Sequence, residues 1–252
     1  MPEVIMRLDK FLSNFAGVSR SEAKKLLKSG EIAVDGRIIR SADYALEPSS
    51  QAVAIGGRII PYHSGVCLLL NKPRGYVCST DDREGIPVNA LVPDYPTVFP
   101  AGRLDKDTEG MLILTDIGEL AHKLITPAKH VPKYYIARLE TRFDERCVAL
   151  FEDGVTIGGE KCLPAKICAL GNGSHALVEL HEGKYHQVRR MLEGVGNRVV
   201  FLRRIQIGQL VMPPELPLGA YLEVMHNDVE KLLKADFFNI VSARVSAEFS
   251  SL

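Results

Sequence analysis

Leu8, Phe11, Leu12 and Phe15 recur at helical spacing near the start of the chain, and Gly17 closes that stretch. Ser19-Arg20-Ser21-Glu22 follows. Ser19 can accept from the backbone N–H of Glu22 while Glu22 reaches back, a reciprocal pair that starts a helix. The helix it starts turns Ala23, Leu26 and Leu27 inward and stops at Gly30. Ile32-Ala33-Val34 and Arg37-Ile38-Ile39 then flank Asp35-Gly36, whose tolerance of positive φ predicts a hairpin with a type I′ turn. Residues 6–60 therefore read as a small unit of two helices and a hairpin, and 61–65 as a linker.

From Val66 onward the pattern changes. Val66–Leu70 is an apolar strand, 71–75 a turn, and Tyr76–Ser79 a second strand, followed by a loop rich in Asp, Pro and Gly as far as Pro100. Met111–Thr115, Tyr134–Leu139, Ala176–Leu180 and Val199–Ile207 read as further strands. Asp116 is placed to cap a helix carrying Leu120 and Leu124, and a helix over His186–Leu192 turns Val188, Met191 and Leu192 inward. Strands and helices do not alternate as βαβ units, so 66–235 is expected to form an α+β domain with a mixed, mostly antiparallel sheet flanked by helices. The tail, 236–252, is expected to be partly disordered.

The chain has 252 residues, 46% hydrophobic and 25% charged, as an ordinary globular protein would have. It contains no apolar run of membrane-spanning length, and Met1–Lys10 lacks the apolar stretch and cleavage site of a secretory signal. The cytoplasm is the expected location. Cys67, Cys78, Cys147, Cys162 and Cys168 are odd in number and form no Cys-x-x-Cys pair, which argues for reduced core thiols over disulfides or zinc. His181 and His186 have no third ligand at suitable spacing and are expected to be structural. Net charge is zero, with 31 Lys and Arg against 31 Asp and Glu. The cations are nonetheless concentrated. Arg20, Lys24, Lys25, Lys28, Arg37 and Arg40 crowd into 17–40, and Lys184, Arg189, Arg190, Arg198, Arg203 and Arg204 into 181–205. Two such patches can be solvated faces, or can hold phosphates through local cations and released counterions.

The most informative stretch is Ala101-Gly102-Arg103-Leu104-Asp105-Lys106-Asp107-Thr108-Glu109-Gly110. It is a polar loop with an Arg two residues from an Asp, running into an apolar strand. Three other segments stand out: Asn71-Lys72-Pro73-Arg74-Gly75-Tyr76, Pro132-Lys133-Tyr134-Tyr135, and Glu182-Gly183-Lys184-Tyr185-His186-Gln187-Val188-Arg189-Arg190-Met191. Together and in this order they resemble the G-R-L-D loop, the N-K-P-x-G opening, the Lys-x-Tyr strand and the His-Gln-Val-Arg segment of pseudouridine synthases. The likeness is strongest to the group named ribosomal small subunit pseudouridine synthase A, which acts on 16S rRNA. Residues 6–60 are similar to the S4-type RNA-binding domain that precedes that catalytic domain. The resemblance covers roughly 6–232. Four motifs in order are specific where one would be weak. Tyr134 departs from the group, which often has Thr there.

The resemblance implies isomerisation of a uridine in ribosomal RNA. The nucleotide is extruded from the stack because a stacked base is out of reach. It makes Asp105 the essential carboxylate, acting at C1′, at C6 or as a base. A buried carboxylate needs a counter-charge, and the resemblance gives that part to Arg189. It makes Tyr135 a stacking face for the uracil, and Arg103 the side chain that fills the gap left by the extruded nucleotide. Lys72, Lys133, Lys184 and Arg190, with Arg20, Lys24 and Lys28 in the first unit, are candidate phosphate contacts. No cofactor and no metal is implied. The expected partner is rRNA, in a small-subunit precursor particle, bound by a monomer. Two alternatives remain open at this point: a large-subunit rRNA substrate, and a non-catalytic RNA-binding protein of ribosome assembly.

Overall fold

Both halves of the predicted capping box form: Ser19 N donates to Glu22 Oε2 at 2.8 Å, and Glu22 N donates to Ser19 Oγ at 3.3 Å. The computed structural model describes residues 5–62, 65–79, 84–126 and 131–249, so His63 and Ser64 of the predicted linker and 80–83 of the long loop lie outside the described residues. The chain divides into two units, Met1–Gly65 and Val66–Leu252.

In the first unit, helices Leu8–Phe15 and Arg20–Ser29 bury Leu8, Phe11 and Leu12 with Ala23 and Leu27. They close on a small sheet of Arg37–Ile38, Ile32–Val34, Val53–Ile55 and Arg58–Ile60. Asp35 and Gly36 both have positive φ, 48° and 77°, as the type I′ turn requires.

The second unit is built, among the described residues, on a nine-stranded sheet. Its main path runs Lys166–Leu170, His175–Leu180, Lys133–Leu139, Val199–Ile207, Glu109–Thr115, Cys67–Lys72, Tyr221–Glu223. Only Glu109–Thr115 and Val199–Ile207 pair in parallel along this path. The result is the expected α+β architecture with a mixed, mostly antiparallel sheet. Alternation along the strands sends side chains to two faces. Leu68, Leu70, Tyr135, Val178 and the helical Met191 fill one core, while Leu69, Met111, Ile113, Leu120 and Leu124 fill another. Helix Gln187–Gly194 buries Val188, Met191 and Leu192 as its spacing predicts. No helix of the described residues is long and apolar enough to cross a membrane.

Three local expectations change. The strand expected to end at Leu70 continues through Asn71 and Lys72, so the predicted turn is shorter. Asp116 does not cap the helix Gly118–Ile125: its Oδ1 accepts from Val66 N at 2.8 Å and ties the two strand ends together. The tail carries a helix, Phe238–Phe249, where partial disorder was expected. Val241 and Val245 of that helix are buried against Tyr134, Leu170 and Leu177. Tyr134, the departure from the group's usual Thr, is fully buried here, and its hydroxyl donates to the Asp236 carbonyl at 3.1 Å. The large side chain thus anchors a segment in which the sequence shows no clear element.

Candidate active site

The loop bearing Asp105 is held from beneath by a buried cation. Lys72 is 0% exposed, and its Nζ donates to the carbonyls of Asp105 at 3.1 Å, Thr108 at 2.9 Å and Pro73 at 3.1 Å. Three carbonyl acceptors offset the cost of desolvating an ammonium, although burial still lowers the pKa of Lys72. Gly75 N donates to the Lys106 carbonyl at 2.8 Å, and Thr108 N to the Asp105 carbonyl at 3.0 Å. The 71–75 turn and the 105–108 loop are therefore one clamped structure. Lys72, expected as a phosphate contact, is out of reach of RNA for this reason.

Gly110 fixes the other end of the loop. Its φ is +102°, and a Cβ there would lie 2.1 Å from the Arg204 carbonyl oxygen of the parallel neighbour strand. Only glycine allows that approach. Arg204 is itself buried, and its Nε donates to the Met111 carbonyl at 2.8 Å.

Asp105 opens onto a cleft of about 510 Å³ whose walls include Arg103, Tyr135, Lys184, Tyr185 and His186. The Asp105 side chain is 26% exposed, and His186 Nε2 lies 3.7 Å from its Oδ1. Tyr135 is buried apart from the part that faces this cleft. Arg103 projects outward, with Glu84 3.9 Å from its guanidinium. The cleft thus joins a carboxylate, an aromatic wall and cations at its rim, a set suited to a flat, polar, anion-linked ligand such as a nucleotide.

Arg189 does not meet Asp105 here. Its Nη2 lies 2.9 Å from Asp107 Oδ2 and its Nη1 donates to the Val199 carbonyl at 3.1 Å, leaving Nε buried without an acceptor. Among the described residues, the side chain recorded in ion-pair range of the Asp105 carboxylate is the ring of His186, a residue that the sequence alone suggests is structural. His186 sits at the start of helix Gln187–Gly194 with a left-handed backbone, φ 51° and ψ 34°. That conformation is uncommon for a residue with a Cβ, and nothing in the sequence announces it.

The remaining predicted cations divide. Lys184 lines the cleft but is held by Glu160 Oε1 at 2.8 Å, a hydrogen bond that raises its pKa. Lys133 donates to the Val131 carbonyl at 3.1 Å, and burial, with Arg204 nearby, pulls its pKa down to about 8. It is a poor phosphate contact. Arg190 is half-buried, with its guanidinium packed against the turn at Gly158. Arg20, Lys24 and Lys28 are exposed on helix Arg20–Ser29 of the first unit. Among the described residues, no group of three or more His, Cys, Asp or Glu side chains is gathered as a metal site would need.

Comparison with known proteins gives this arrangement a family. The model of the RNA pseudouridylate synthase family matches residues 66–194, and that of the S4 domain matches residues 6–51. An uncharacterized RNA pseudouridine synthase of Bacillus subtilis is 40% identical over 234 residues, spanning 90% of this chain and 98% of that protein. The ribosomal small subunit pseudouridine synthase A of Escherichia coli is 35% identical over 242 residues, spanning 90% of this chain and 100% of that protein. A crystal structure of a pseudouridylate synthase superposes with a TM-score of 0.64 at 32% identity, covering 90% of this chain and 99% of the other. With these matches over most of its length, this chain belongs to the RNA pseudouridylate synthase family: it is an RNA-modifying isomerase that carries an S4 domain ahead of its catalytic domain.

Proposed function

We propose that this enzyme converts one uridine of small-subunit ribosomal RNA to pseudouridine, with Asp105 as the carboxylate that acts on the extruded nucleotide. The observation that carries this reading is the meeting of Asp105 and Tyr135 on the wall of one open cleft of about 510 Å³. The choice of small-subunit RNA rests on relatives 35–36% identical over most of the chain, which are named ribosomal small subunit pseudouridine synthase A.

The net reaction exchanges one bond for another. The N1–C1′ bond breaks, the uracil turns, and C5 bonds to C1′; C5 gives up its proton and N1 gains one. No group is lost and no electrons leave. A carboxylate oxygen can serve as nucleophile or base, and can stabilise positive charge developing on the sugar. Tyr135 offers its ring to the turned base. Arg103 is exposed at the rim, and in this reading it occupies the gap that extrusion leaves in the RNA. Arg189 lies on Asp107, two residues along the same loop from Asp105, with Nε unused. In this reading RNA binding draws its guanidinium from Asp107 to Asp105. Arg20, Lys24 and Lys28 hold phosphates on the S4 unit. The enzyme works as a cytoplasmic monomer on a small-subunit precursor particle.

Mapping pseudouridine across both rRNAs, from cells with and without this protein, tests the proposal. The expected result is one small-subunit uridine that stays unmodified when the protein is absent. A missing site in the large subunit would redirect the substrate. Unchanged maps would favour an RNA-binding assembly role instead.

A further inference from the structure

Tyr185 is a side chain of the cleft for which the chemistry above has no use. It lines the same cleft as Asp105, yet it is 74% exposed. Its ring stacks on that of His186, with centroids 3.9 Å apart and planes 16° from parallel. His186 in turn reaches Asp105, 3.7 Å from Nε2 to Oδ1, and has a left-handed backbone. A lone exposed aromatic would mean little, since scattered apolar surface is normal. This one is different because its inner face is already fixed by a second ring, and that ring is held by a backbone conformation few side chains adopt. The outer face of Tyr185 is left open to solvent at the mouth of the cleft.

We propose that Tyr185, backed by His186, is a stacking platform for a base that flanks the extruded uridine, and so helps to choose which uridine enters. A flat aromatic face takes any base, and its strength depends on stacking geometry more than on hydrogen bonds. Extrusion leaves the neighbouring bases without a stacking partner, so an aromatic face beside the cleft restores part of what is lost. Asp105, His186, Tyr185 and the flanking base then form a continuous series from the reacting centre outward. The phenol hydroxyl has no part in this; the ring face has. The proposal rests on the RNA chemistry of the family and deepens the reading of this cleft.

The chain contains no tryptophan, so Tyr185→Trp creates a single fluorophore at the proposed platform. Phe237→Trp, at an exposed site next to Asp236, whose carbonyl accepts from Tyr134 and not from any group of the cleft, is the control. Each variant is titrated with whichever unmodified rRNA transcript the wild type isomerises, and binding is followed separately by filter retention. Fluorescence at 185 is expected to be quenched in step with binding, and the control to stay unchanged. Tyr185→Ala should weaken RNA binding about tenfold to hundredfold, with the loss falling on KM more than on kcat, and Tyr185→Phe should restore it. Binding without quenching at 185, or an unchanged KM for Tyr185→Ala, would overturn the platform. The same titrations in an Asp105→Asn background separate the two readings, because quenching reports the platform whether or not product forms.

Discussion

The ammonium of Lys72 donates to the backbone carbonyl of Asp105 at 3.1 Å, and the same nitrogen holds the carbonyls of Thr108 and Pro73. A charge buried under the loop thereby sets the position of the carboxylate above it without touching substrate. Lys72→Met would remove a shared donor from three carbonyls, of which that of Asp105 keeps Thr108 N and that of Thr108 is buried. The expected cost is about 2–4 kcal/mol in urea unfolding, with a fall in kcat that outlasts saturating RNA. A variant as stable and as active as the wild type would show that the clamp is dispensable.

Arg189 rests on Asp107 at 2.9 Å, and its transfer to Asp105 is the movement proposed for RNA binding. If Asp107 only parks the guanidinium, Asp107→Asn should leave kcat/KM within about threefold of wild type, whereas Arg189→Ala should lower it by about a hundredfold or more. Steady-state kinetics on the same transcript decide this. A larger loss at Asp107 than at Arg189 would mean that the observed pair, not the proposed one, is the working arrangement.

Lys133 predicts a pH dependence of stability. Burial lowers its folded pKa to about 8, below the usual lysine value near 10.5. Between these two values the unfolded chain binds more protons than the folded one, so the contribution of Lys133 to stability rises with pH across that window. Below pH 8 the buried ammonium is a full liability. Lys133→Met should therefore be more stable than wild type at pH 7, by on the order of 2 kcal/mol, and the gain should shrink as pH approaches about 10. Urea midpoints of both proteins at about pH 7 and pH 9.5 measure it. A gain that does not depend on pH would point to packing instead.

Gly110 has no room for a side chain. Gly110→Ala places a methyl 2.1 Å from the Arg204 carbonyl oxygen at a φ of +102°, and both effects oppose folding. A loss of about 3 kcal/mol or more in chemical unfolding is expected. An unchanged urea midpoint would mean that the parallel pairing of 109–110 with 203–204 gives way easily and does not fix the loop.

Much of the fold can be read along the chain because local rules act there without competition. The Ser19–Glu22 box, the Asp35-Gly36 turn and the inward face Val188, Met191, Leu192 each follow from spacing alone, and each is found. Where expectation and structure part, the cause is tertiary pairing of polar groups. Lys72 looks like a surface cation until the strand Cys67–Lys72 is seen to be buried along its whole length. Asp116 looks like a cap until Val66 N takes its oxygen. Helix Phe238–Phe249 has little amphipathic pattern to detect, because it is held by two valines and the partner it finds in Tyr134. In the site, Asp105, Tyr135 and Arg103 are legible from motif order and do share the cleft. The pairing of Arg189 is not legible, since a long side chain can choose among several carboxylates one loop apart. Nor is the left-handed turn that brings His186 to Asp105.

In the proposed reaction the carboxylate at 105 performs the chemistry. Asp105→Asn preserves shape and removes the charge, so it tests that role with least disturbance. Purified wild-type and variant enzyme are incubated with unmodified small-subunit rRNA, and pseudouridine is counted after equal times. The variant should bind the RNA as tightly as wild type and form product at least about a thousandfold more slowly. Isomerisation by the variant at a rate near that of wild type would contradict the assignment of Asp105 outright.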